Sequence, residues 1–82
     1  MRRDPGTIWR SAPNFVVLVR PGSDVVTVAG PAATLWGLLA EDTTFEEVTD
    51  ELARRHAAPP DVVREDLRPL WERLVNEGFI RG

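Results

Sequence analysis

Apolar positions along this chain follow two different periods, and the change falls near residue 30. Before it, Thr7-Ile8-Trp9-Arg10 is a short β-prone run ended by Pro13-Asn14, and Phe15-Val16-Val17-Leu18-Val19-Arg20 is a nearly continuous apolar, β-branched run. A third run, Asp24-Val25-Val26-Thr27-Val28-Ala29, follows Pro21-Gly22-Ser23. Proline second and glycine third in Arg20 to Ser23 suit a type II turn. Short turns between the runs predict a three-stranded antiparallel meander.

After Gly30-Pro31 the period becomes helical. Proline is tolerated at a first helical position, and Ala32, Leu35, Trp36 and Leu39 then recur on one face. Thr44 with Glu47 three residues later reads as a capping box, and Phe45, Val48, Leu52 and His56 form the stripe of a second helix. Ala57-Ala58-Pro59-Pro60 closes it. A third helix is expected from about Pro60 to Glu77, with Val63, Leu67, Leu70, Trp71 and Leu74 inward and Gly78 as its stop. Pro69 lies inside that helix, where it removes a backbone bond and crowds the Glu65 carbonyl at a cost of roughly 3 kcal/mol, so a kink or a break near Asp66 to Arg68 is expected. The reading is α+β, a three-stranded antiparallel sheet followed by three helices, with Phe79-Ile80 folding back onto the core.

Composition narrows the function. Eighty-two residues make one domain, and 43% hydrophobic with 28% charged residues is ordinary for a folded chain, with only a few residues at each end free of pattern. No cysteine and a single histidine, His56, give no disulfide and no metal cluster, and no cofactor is expected. Thirteen acids against ten arginines leave a net charge of −3, which offers no long-range attraction to nucleic acid or to an anionic membrane. Asp4-Pro5-Gly6 stands where a signal peptide needs its apolar stretch. The longest uncharged run, Val25 to Ala40, is interrupted and too short to cross a bilayer, so a soluble cytoplasmic protein is expected.

Candidate chemistry is sparse. His56 has no cysteine or placed serine to act with and reads as a helix-end residue, while Glu46, Glu47, Asp50 and Glu51 complement a helix dipole on a solvated face. Trp36 and Trp71 fall on apolar stripes and read as core. The third strand is more informative, because Val25 to Ala29 carries none of the lysines, prolines or inward charges that usually guard a sheet edge. Such an edge is covered, paired in a dimer, or open to an incoming peptide. Beside it, the exposed face of the third helix carries mixed charge, including Arg64, Glu65, Asp66, Arg68, Glu72 and Arg73.

Taken in order, these features resemble the PqqD-like family, also called RiPP recognition elements, which are small winged helix-turn-helix-like domains. The resemblance runs through Trp9-Arg10, Val16-Val17-Leu18-Val19, Pro21-Gly22 and Ala33-Thr34-Leu35-Trp36-Gly37-Leu38-Leu39. It continues through Thr44-Phe45-Glu46-Glu47-Val48, Leu52 and Leu74-Val75-Asn76-Glu77-Gly78-Phe79-Ile80. It departs at Ala29-Gly30-Pro31, where many members have Leu-Asn, and at Pro69. The resemblance implies a non-enzymatic domain that binds the leader segment of a ribosomally made precursor peptide, antiparallel to the third strand and against the third helix. A chain of this length is most similar to the stand-alone version in lasso-peptide biosynthesis, which implies a separate cysteine-protease-like leader peptidase, or another modifying enzyme, as second partner. The implied peptide-binding residues are Asp24, Val25, Val26, Thr27, Val28 and Ala29 on the strand and Val63, Asp66, Leu67, Leu70 and Arg73 on the helix. Two other readings use the same elements: a winged-helix DNA-binding regulator, which needs a basic recognition helix, and a structural subunit dimerising through the strand edge.

Overall fold

A computed structural model describes residues 1–82. Its order is β1 (Arg2–Arg3), β2 (Ile8–Ala12), β3 (Phe15–Val19), β4 (Val26–Ala29), α1 (Pro31–Leu38), α2 (Phe45–His56), α3 (Pro60–Asn76) and β5 (Ile80–Arg81). The meander β2-β3-β4 is antiparallel, with Ile8 opposite Val19 and Val16 opposite Val28. Gly22 has φ 81° and the Ser23 N–H donates to the Arg20 carbonyl at 3.0 Å, as the Pro-Gly turn requires.

Val16, Leu18, Val26 and Val28 turn one face of the sheet onto Leu35, Trp36, Leu39, Val48, Leu52, Leu67, Leu74 and Phe79. The capping box forms in modified shape. The Glu47 N–H donates to Thr44 Oγ1 at 3.1 Å, and Glu47 Oε1 accepts from the same hydroxyl instead of from the Thr44 N–H. Trp71 is half-buried against the Phe45 ring, their centroids 5.2 Å apart.

Three expectations are corrected. The first strand is shifted to Ile8–Ala12, and the third begins at Val26, leaving Asp24 and Val25 in the approach to β4. The third helix does not break near Asp66 to Arg68, because Pro69 and Glu65 are both on its exposed side, where no neighbour is displaced by the ring. The chain ends are patterned after all: β1 pairs with β5, Arg2 opposite Arg81 and Arg3 opposite Ile80. This ribbon is held by Asp4, which is buried and ion-paired with Arg81 at 3.2 Å and with Arg20 at 3.5 Å.

The ribbon also explains Trp9. Arg3 lies 4.5 Å from the Trp9 ring and 5.0 Å from the Trp36 ring, and its Nε donates to the Trp36 carbonyl at 2.9 Å. Burial lowers the Arg3 pKa.

Candidate peptide-binding groove

The edge of β4 is bare, and the ladder shows which backbone groups it presents. The Gly30 N–H donates to the Asn14 carbonyl at 3.2 Å. In an antiparallel pair, hydrogen-bonded and non-bonded pairs alternate, so Val28 and Val26 turn their backbone groups inward to β3. Thr27 and Ala29 therefore turn theirs out to the free edge. On the opposite edge the same alternation points Trp9 and Ser11 outward, beside the Arg10 charge.

Beyond the edge of β4 lies a cavity of about 320 Å³, lined by Ala29, Pro31 and Ala32 at the strand-to-helix junction. Leu52, His56 and Ala58 form its floor from the end of α2, and Val62, Val63, Asp66 and Leu67 its wall on α3. Sequence dictates this arrangement locally. Pro59 and Pro60 start α3 immediately after Ala57, which closes α2 in the left-handed region at φ 49°, so two helix ends converge on one spot.

At the other end of the groove the walls are tied. Arg20, preceding the turn into β4, donates Nη1 to the Gly78 carbonyl and, at 3.5 Å, to the Glu77 carbonyl. The guanidinium thus caps the C-terminus of α3, and its approach leaves no room for a Cβ at Gly78, whose φ is 80°. The end of α3 is thus tied to the turn before β4, while the start of α3 and Ala29 share the cavity, so α3 runs antiparallel to β4.

The structure brings Ala29, Val63, Asp66 and Leu67 together around the cavity. Val26 and Val28 are buried in the core, and Asp24, Val25 and Thr27 are exposed along the edge. Leu70 and Arg73 lie further along α3, outside the cavity, and Arg73 Nε already donates to Glu77 Oε2 at 2.6 Å. Sequence reasoning passed over Val62, half of whose surface is exposed, along with Pro31, Ala32 and Ala58. The exposed apolar Val62, off the helix stripe, was the available signal. No three His, Asp or Glu side chains converge as metal ligands.

The other face of the sheet is uncovered. Cross-strand partners share a face, so Ile8 with Val19, Arg10 with Val17 and Thr27, and Ala12 with Phe15 and Ala29 all point away from the helices. Val25 continues the patch; it is 61% exposed, Ile8 64% and Phe15 41%. Apart from Arg10 and Thr27 this outer face is apolar, and no helix covers it.

A short antiparallel meander backed by three helices, the last of which leaves a cavity beside the end of the β4 edge, defines a small winged-helix-like α+β domain. The chain belongs to the PqqD family: residues 15–80 match the model of coenzyme PQQ synthesis protein D. Its fold is similar to that of TbiB1, solved in complex with the TbiA(beta) leader peptide, with a TM-score of 0.83 and 22% sequence identity over 100% of this chain and 96% of that one. A comparison with curated proteins by sequence found no match.

Proposed function

We propose that this chain captures the leader segment of a ribosomally made precursor peptide by strand addition to β4 and presents it to a separate maturation enzyme, as in lasso-peptide biosynthesis. The observation that carries the reading is the outward-facing backbone of Thr27 and Ala29 on a free edge whose Ala29 end lines an apolar cavity. The similarity of the fold to a protein solved with a leader peptide supports it. The domain makes no bond itself. Its partner is a leader peptidase or another modifying enzyme working in the cytoplasm, and the uncovered apolar sheet face is a surface that such a partner can cover without obstructing the groove. DNA reading is disfavoured, since the arginines of α3 are engaged by acids or by an aromatic ring.

Titrating a leader peptide into isotope-labelled protein tests the mode. Amide shifts should concentrate at Val25, Thr27 and Ala29 and at Val62 to Leu67, with the protein remaining monomeric by size measurement. Shifts confined to the β2 edge or the outer sheet face would overturn strand addition at β4.

A further inference from the structure

The charges left free on the walls of the groove decide which peptides it accepts. α3 has three arginines beside or behind the groove, and each is committed. Arg64 pairs with Asp50 at 3.3 Å and with Asp61, Arg68 lies 4.8 Å from the centroid of the Phe45 ring, and Arg73 is held by Glu77 at 2.6 Å. The groove's acids are not committed. Asp66 lines the cavity, is exposed, and takes part in none of the eight ion pairs of the fold. Asp24, at the approach to β4 and outside the cavity, is likewise exposed and in no ion pair. The apolar cavity thus has one free carboxylate, Asp66, in its lining, while Arg64, the base nearest to it along α3, is paired with Asp50 and Asp61.

The spacing adds a register. A peptide strand on β4 sends alternate side chains toward the helices, about 7 Å apart. On α3, Val62 and Asp66 are four residues apart on one face, about 6 Å along the axis. A side chain resting against Val62 and Val63 therefore has its same-face neighbour, two positions on, level with Asp66.

We propose that the groove selects peptides carrying a large apolar residue in the cavity and a lysine or arginine two positions further toward the Asp24 end, paired with Asp66. This rests on the strand-addition reading and names the substrate class of that site. The base lays its aliphatic stem along Leu67 and keeps its charged head at the exposed carboxylate.

A randomised ten-residue peptide library, displayed and selected against purified wild-type protein and against Asp66→Lys, Glu77→Gln and Thr27→Pro, tests this, with melting curves confirming that each variant folds. Wild type should enrich lysine or arginine over aspartate or glutamate two positions from an apolar residue by about five-fold, as a partly exposed ion pair allows. Asp66→Lys should reverse that preference, and Glu77→Gln, by freeing Arg73, should add tolerance for an acid further along the peptide. The same charge preference in wild type and Asp66→Lys, with Thr27→Pro losing capture, would overturn this selectivity alone. No charge enrichment on wild type would likewise overturn the selectivity alone, whereas undiminished capture by Thr27→Pro would overturn strand addition and this inference with it.

Discussion

Replacing Thr27 with proline removes an outward N–H from the free edge while sparing every bond of the sheet. The Thr27 amide does not bond to β3, its side chain is exposed, and the extended Val26 before it is compatible with a following proline. The fold should therefore persist. A bound peptide loses one backbone hydrogen bond, worth about 1 kcal/mol net, and its carbonyl then faces a pyrrolidine ring, which costs about 1–3 kcal/mol more where water is excluded. The sum, about 2–4 kcal/mol, predicts binding weaker by about 30- to 1,000-fold. Fluorescence anisotropy with a labelled leader peptide measures this, and a thermal melt of the same sample checks the fold. Ser11→Pro is the matched control, because Ser11 points its amide outward on the opposite edge, and it should leave affinity unchanged. A cooperatively melting Thr27→Pro protein that binds within three-fold of wild type would refute the assignment of the edge, as would an equal loss in Ser11→Pro.

Two further variants test the scaffold. Pro69→Ala restores the donor to the Glu65 carbonyl in an exposed stretch of α3 and should raise Tm by about 5–15 °C, from about 1–3 kcal/mol regained; an unchanged or lowered Tm would show that the helix has no such bond to recover. Glu51 accepts hydrogen bonds from Arg54 at 3.0 and 2.5 Å and from Arg55 at 2.6 Å, which push its pKa down from 4.5 to about 2. A folded pKa below the unfolded one gives stability that is present above about pH 4.5 and lost as pH falls toward 2. Glu51→Gln should accordingly show a shallower fall in Tm across that window, and parallel acid slopes in the two proteins would refute the pairing.

Strong local signals made most of the fold legible. The Pro21-Gly22 turn, the Thr44 cap and the Gly78 stop each rest on a backbone requirement that few residues meet, and the structure uses all three. The two-residue strands β1 and β5 were not legible, since two residues cannot display a period and their pairing spans nearly the whole chain. The groove was legible by halves. Bareness of the third strand is a matter of residue type, whereas which of its amides face outward depends on register with β3, and only the Gly30 to Asn14 bond fixes that. The pairing of Arg73, an implied peptide contact, was not legible, because helix periodicity shows that Glu77 is near without showing which partner wins. The cavity escaped because its lining comes from two helix ends and a strand end far apart in sequence.

The brevity of β4 sets how long a guest stays. Four residues offer only two that face outward, hence four backbone groups, so the strand contributes at most about 4 kcal/mol and a well-filled cavity about 2–3 more. Before the cost of association is subtracted, that total sets about 10 μM as the tightest dissociation constant, and with association near 10⁶ M⁻¹s⁻¹ a residence time no longer than about 0.1 s. One copy of the domain can then serve a stream of precursor chains in succession. On the proposed function, a processed leader would vacate the edge unaided, and the chain would act as a rapidly recycling adaptor.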